Sequence, residues 1–390
     1  MTTIGHPLAT SARLLPVSTH VLQAFTRSAP TGALGAEYSI DFGPAVLASL
    51  IAGPRRPPPD APESLAVAAW LRQLRHGCNH PGLFGWGLAG YLLGLRSAAL
   101  TWPGLGGLVE RARKELAGTA SWQAENLAWY DYDLVTGTSG TLLVLASDPA
   151  CTPDDLEATA THLTALCTRE DLQGLRVGHY KDEQMRGWNH GRVNTGMAHG
   201  ATGVTAALCR AAEAGGLSNE LASALRRLAT WLVEHSATGN RGLCSWPIAG
   251  GLSDLPLRPQ AWCYGTPGIS WTLWETGRVL SDPRLQAFAL DAAASFLRAY
   301  DEDVHQPDLS VCHGIPGLIL ICDAFDRYTP LQGAGELRDR LLRGLLDRLD
   351  QVAALAEHDC TLLSGATGAC AVLLTLRSGT RSWLPAFGLR

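Results

Sequence analysis

The sequence predicts an all-α fold: an α/α toroid of six to seven helical hairpins, with glycine-rich G-x-x-G turns at one end and minor β-hairpin or loop insertions. Three observations predict it. The chain of 390 residues holds 42 glycines, nearly 11%, against a usual level of about 7%. The glycines recur as G-x-x-G followed by an apolar run, beginning at Gly87, Gly137, Gly200, Gly265, Gly314 and Gly365, in steps of 50, 63, 65, 49 and 51 residues. Amphipathic helical patterns fill the gaps between them.

The elements follow in order. "GPAVLASLIAG" reads as a helix and "PRRPPPDAP" as a stiff linker. Residues 1–61 are expected to form an N-terminal segment with room for a degenerate first hairpin, and residues 62–390 the toroid domain. "PESLAVAAWLRQLRHG" precedes the first glycine turn, and "LTALCTREDL" ends the helix before the third. "NELASALRRLATWLVEHS" precedes the fourth. "DPRLQAFALDAAASFLRAYDED" precedes the fifth, with Asp282 as N-cap and Pro283 at the first helical position. "GELRDRLLRGLLDRLDQVAAL" reads as the outer helix before the sixth. The helices after each turn are apolar nearly all round, so they should be buried.

The unit is therefore an outer amphipathic helix, a glycine turn and an inner buried helix. One unit cannot bury its inner helix alone, so neighbours must stack. Six or seven units of about 50 residues can close into a ring with every glycine turn at the same mouth. Glycine suits such turns because backbones crowd there and a positive φ is often needed. Two turn-rich segments with short strand-like pieces, Gly174–Gly196 and Gly239–Gln260, account for the steps of 63 and 65. Long loops at a barrel mouth are usually functional.

Composition excludes other classes. Hydrophobic residues make up 46% and charged residues 17%, an ordinary globular balance. The net charge is −5, and the densest basic stretch is "GPRR", so nucleic-acid binding is not expected. Met1 to Ala9 lack a signal-peptide pattern, and no apolar run reaches membrane-spanning length. A cytoplasmic protein is expected. Ten cysteines are too sparse for a disulfide scaffold and should be free thiols. Cys167, Cys209, Cys322 and Cys370 lie in apolar helical runs and read as small buried hydrophobes.

The residues just before the turns carry the chemistry. Cys263 and Tyr264 precede Gly265, Cys312 and His313 precede Gly314, His199 precedes Gly200, and Asp133 stands four residues before Gly137. Cys263, Cys312 and His313 make a Cys₂His set. Three protein ligands and one open position is the arrangement of catalytic zinc. Zinc in such a site binds an incoming thiol and holds it as thiolate. Competing readings are buried turn residues or a Cys–His nucleophile pair, although adjacent side chains rarely align for proton transfer. His199 reads as a proton carrier or as a core histidine. Asp133 reads as the group that orients it or as a helix N-cap. Arg258, five residues before Cys263, reads as an oxyanion partner or a solvated loop arginine. Tyr264 donates a hydrogen bond or simply packs.

"NTGMAHGATG", "AWCYGTPG" and "CHGIPG" resemble the signature of the lanthionine synthetase C family, the cyclases of lanthipeptide biosynthesis, and "DLVTGTSG" and "SGATGACAVLL" resemble its flanking glycine motifs. The resemblance covers roughly residues 80–375. It implies a toroid of seven hairpins and zinc held by Cys263, Cys312 and His313. It implies Michael-type addition of a precursor-peptide thiol to dehydroalanine or dehydrobutyrine, giving (methyl)lanthionine thioether rings. It implies catalytic roles for His199, Asp133, Tyr264 and, with a spacing one residue longer, Arg258. The implied substrate is a dehydrated precursor peptide, leader plus core, with a dehydratase and an export transporter as further partners. A stand-alone cyclase is expected, with Gly174–Gly196 contacting the peptide. The rivals are a non-catalytic zinc and thiol (glutathione) binding relative, and a zinc toroid of the prenyltransferase type, which typically uses a carboxylate ligand.

Overall fold

The computed structural model describes residues 12–28, 41–74, 77–119, 122–184, 186–251, 260–305, 307–377 and 379–390. Outer and inner helices alternate along the chain. The first pairs are α1 (Leu14–Ser28) with α2 (Gly43–Ala52), and α3 (Pro62–Gln73) with α4 (Leu88–Ala99). Next come α5 (Gly106–Ala117), the short turn α6 (Trp129–Tyr132) and α7 (Thr138–Ala146), then α8 (Pro153–Leu166) with α9 (Ala201–Gly215). α10 (Asn219–Glu234) pairs with α11 (Thr266–Val279). α12 (Pro283–Ala299) and the short α13 (Glu302–His305) lead to α14 (Ile315–Tyr328). Last are α15 (Ala334–Asp347), α16 (Leu349–Leu355) and α17 (Ala366–Arg377).

The inner helices α2, α4, α7, α9, α11, α14 and α17 each pack on the next, and α17 returns to α2. The ring is closed, an α/α toroid with seven inner helices among the described residues. Burial follows the sequence pattern: all nine residues of α7 are buried, whereas α5 buries only Ala112 and Leu116. Asp282 caps α12 by accepting from Arg284 N and Leu285 N, with Pro283 at the first position, a cap that contributes about 1 kcal/mol. The last outer pattern is two helices rather than one. The chain breaks at Arg348 (φ −99°, ψ 16°), which lets α16 turn to pack on α1 and α17.

A belt of backbone hydrogen bonds runs round the mouth. Leu83 N donates to Val135 O at 3.0 Å, Leu134 N to Ala198 O at 3.0 Å and Met197 N to Cys263 O at 2.8 Å. Cys263 N donates to Cys312 O at 3.3 Å, and Cys312 N to Leu363 O at 3.0 Å. The seam with the first hairpin is closed by a side chain. Asp41 Oδ2 accepts from Leu362 N at 2.6 Å and Leu363 N at 3.3 Å, while Oδ1 accepts from Gly43 N at 2.8 Å. Burial pushes the Asp41 carboxyl up to about 7, against the pull of these three donors.

The motif glycines are there for crowding more than for φ. Of the six that open a motif, only Gly265 has a positive φ, 82°. The second glycines sit against carbonyl oxygens of their own turns. A Cβ would meet Met197 O at 2.3 Å from Gly203, Trp262 O at 2.2 Å from Gly268, Val311 O at 2.0 Å from Gly317 and Leu362 O at 2.1 Å from Gly368.

Residues 383–390 fill the lumen. Trp383, Leu384, Phe387 and Leu389 are fully buried. Phe387 packs on Phe84, Trp262 and Trp383, and Phe387 O and Gly388 O accept from the indoles of Trp262 and Trp271 at 2.8 and 2.9 Å. Of the two insertions, the second carries the antiparallel pair β1 (Ala237–Thr238) and β2 (Cys244–Ser245). The first is a loop pinned by isolated bridges, Val177 to His190 and Asn194 to Ala249. All ten cysteines are free. No helix among the described residues is long and apolar enough to cross a membrane.

Candidate metal centre and its neighbours

The belt brings the turn residues together. Cys263 and Cys312 are neighbours because Cys263 N bonds Cys312 O, and both thiols are buried, 1% and 7% exposed. His313 is exposed, and its backbone is steered by its N–H donating to Ser310 Oγ at 3.0 Å. Ser310 is held in turn by Asp308 Oδ1, which accepts from its N and Oγ at 2.7 and 2.6 Å. The ligand atoms of Cys263, Cys312 and His313 all lie within 4.8 Å of one another, and Cys312 Sγ stands 3.9 Å from His313 Nε2.

The donor set fits zinc. Zn–S near 2.3 Å and Zn–N near 2.0 Å in a tetrahedron require ligand atoms roughly 3.5–3.8 Å apart, so small side-chain shifts suffice. Two thiolates and one imidazole are soft and borderline donors of the kind zinc prefers, and they leave one coordination position. The thiols are also unequal. Burial, with Cys312 beside it, holds Cys263 well above its ordinary value. A hydrogen bond from Cys263, aided by His313, draws Cys312 down.

His199 and Asp133 form a second pair at the same mouth. His199 Nδ1 lies 2.6 Å from Asp133 Oδ2. The Asp133 side chain is 1% exposed and the His199 side chain 29%. Asp133 is not the N-cap of α7, which has Gly137 there and no side-chain cap; its other oxygen, Oδ1, accepts from Thr136 N at 2.8 Å and Gly137 N at 2.9 Å and so ties the turn before that helix. Tyr264 packs over Gly196, and its hydroxyl accepts from Asn194 Nδ2 at 2.9 Å. Arg258 lies outside the described residues.

Sequence reasoning missed several site residues. Trp129 stacks on His199 with centroids 4.8 Å apart and planes 23° apart. Asn194, Asp308 and Asp359 each bond the backbone N–H two residues on, at 2.8, 2.7 and 2.8 Å, shaping the turns at Gly200, Gly314 and Gly365. Each stands six residues before the glycine that opens its motif, a signal visible in the sequence. A cavity of about 650 Å³ opens beside His199 and Asp133, lined also by His80, Trp129, Tyr130 and Arg186. Another, of about 540 Å³, lies beside Asp308 and Ser310 and is lined by Arg348, Gln351 and His358.

Fold and site define a class: an α/α toroid with a Cys₂His cluster and a histidine–aspartate pair at one mouth. The profile of the family described as "Lanthionine synthetase C-like protein" matches residues 65–389, and the chain belongs to that family. The nisin biosynthesis protein NisC of Lactococcus lactis subsp. lactis is 30% identical over 222 residues, 52% of this chain and 51% of that protein. The chain thus spans about half the length of this curated relative. The solved structure of a nisin cyclase superposes with a TM-score of 0.74 at 19% identity, covering 94% of this chain and 96% of that one. That likeness shows the shared fold.

Proposed function

We propose that this chain is a zinc-dependent lanthipeptide cyclase. It adds a cysteine thiol of a dehydrated precursor peptide to a dehydroalanine or dehydrobutyrine of the same peptide. The observation that carries this reading is the meeting of Cys263, Cys312 and His313 with the His199–Asp133 pair at one mouth, in a member of this family.

Cys263, Cys312 and His313 hold the metal. Zinc bound there supplies a position at which an incoming thiol is kept as thiolate near neutral pH. Asp133 accepts from His199 Nδ1, so Nε2 is the working edge of the imidazole. The C–S bond forms at the β-carbon, the β-carbon's π electrons move toward the amide oxygen, and the α-carbon then takes a proton. His199 Nε2 delivers that proton, and the proton lost from the thiol replaces it, so none is gained or lost overall. Arg258 is assigned to the developing amide oxyanion, and Tyr264 to shaping the floor beside the thiol. A cytoplasmic setting agrees with ten free thiols. A dehydratase must act first, because the acceptor is a dehydro residue, and an export transporter is the proposed recipient.

The test is incubation with a dehydrated precursor peptide, followed by thiol alkylation and mass spectrometry. Loss of alkylatable thiols without a mass change is the expected result. An unchanged thiol count by a zinc-loaded protein would leave a thiol binder in place of a cyclase.

A further inference from the structure

We propose that Trp129 is a positioning residue for His199: its indole fixes the plane of the imidazole that the Asp133 bond leaves free to pivot. The inference rests on the cyclase reading above.

One hydrogen bond fixes only one edge of a ring, and the His199 side chain is nearly a third exposed, at 29%. Trp129 supplies the missing restraint from the ring face, at 4.8 Å and 23°. Both restraints come from one turn. Trp129 opens α6 and Asp133 closes it, with Asp133 N donating to Trp129 O at 2.8 Å. The turn itself is tied down by Asp131 Oδ2, which accepts from Ala128 N at 2.7 Å. Edge and face therefore move as one body.

The indole also packs against the first insertion. Tyr180 lies 5.2 Å from Trp129 and Trp188 lies 6.4 Å away, centroid to centroid. The insertion is anchored to the same strand of chain, because Gly178 N donates to Leu127 O at 2.7 Å. Ala128, Val177 and Tyr180 form a small buried cluster beneath Trp129. Tyr180 and Trp188 thus bear on the reacting centre through Trp129. Trp129 also lines the 650 Å³ cavity beside His199. The imidazole, its flat support and the space for an acceptor residue share one wall.

The test compares Trp129→Leu, which keeps apolar bulk without a flat face, with Trp129→Phe, which keeps the face. Ring closure, zinc content and thermal unfolding are measured for both and for the wild type. Trp129→Leu is expected to lower kcat about 10- to 100-fold, the range for a misplaced catalytic group, with KM within about threefold. Zinc content stays at the wild-type level. Trp129→Phe recovers kcat to within about threefold of wild type, the recovery expected when a ring face is restored. A Leu variant with wild-type kcat overturns the proposal. So does a loss carried wholly by KM, or a Phe variant as slow as Leu. If the wild type itself closes no rings, the cyclase reading fails instead, and the two failures are distinct.

Discussion

His199 and Asp133 meet through a single 2.6 Å contact between Nδ1 and Oδ2, across 66 residues of sequence. The carboxylate is buried and also ties the turn before α7 through its second oxygen. Asp133→Asn keeps a carbonyl for the Thr136 and Gly137 amides but turns an amide N–H toward Nδ1, which favours the wrong tautomer. Ring closure should slow by about 100-fold or more, with zinc content and unfolding temperature close to wild type. Stopped time courses with the dehydrated peptide check the rate.

Metal retention should separate from proton transfer. Cys263→Ala and Cys312→Ala each remove a ligand from the cluster. Their zinc affinity should fall by more than the roughly 10–100-fold that an outer-shell partner costs. Ser310→Ala, which frees the His313 backbone, should fall within that range. His199→Ala should keep its zinc in full. Elemental analysis after dialysis against a chelator gives the ranking, and a His199→Ala protein that loses zinc would contradict it.

Crowding predicts where glycine is irreplaceable. A Cβ at Gly317 would stand 2.0 Å from Val311 O and 3.1 Å from Trp262 Cβ. Val311 cannot yield without shifting the turn that carries Cys312, nor Trp262 without shifting the one that carries Cys263. Gly317→Ala should destabilise the fold by about 3 kcal/mol and weaken zinc binding as well. Gly344→Ala, on the outer helix with open space around it, should instead be neutral or slightly stabilising, by a few tenths to about 1 kcal/mol. Chemical denaturation distinguishes the two.

The seam should respond to pH. The Asp41 carboxyl is raised in the fold from 3.8 to about 7. Between those values the folded protein keeps a proton that the unfolded chain has lost. Stability from this group is therefore complete below about pH 4 and is lost as pH rises through 7. Asp41→Asn lacks the titration, so the stability of wild type relative to the variant should fall from pH 5 to pH 8. Equal differences at both values would show that Asp41 is not the seam's titrating group.

Much of this was legible because it repeats. Six glycine motifs at regular spacing announced the ring, and residues at equivalent places announced Cys263, Cys312, His313 and His199. What does not repeat stayed hidden. α2 has no G-x-x-G, and its turn is closed by the Asp41 side chain, so the periodic signal vanishes there. "WLPAFGLR" is too short for helical periodicity, and only packing on Trp262 and Phe84 shows it fills the lumen. Trp129 lies in a loop-like stretch, and its value depends on a neighbour from another hairpin. The break at Arg348 was invisible because the apolar stripe continues across it.

The two functional pairs each come from consecutive hairpins: Asp133 with His199, and Cys263 with Cys312 and His313. Joining two consecutive hairpins closes a short stretch of chain, and the entropic cost of closing it grows only slowly with length. The candidate metal cluster draws on two hairpins only and does not need the seam at Asp41. An ion captured at that stage would cross-link a half-built chain and narrow the ensemble from which the last hairpins must fold. A metal held by the proposed cluster would then act on the assembly of the toroid as well as on its chemistry.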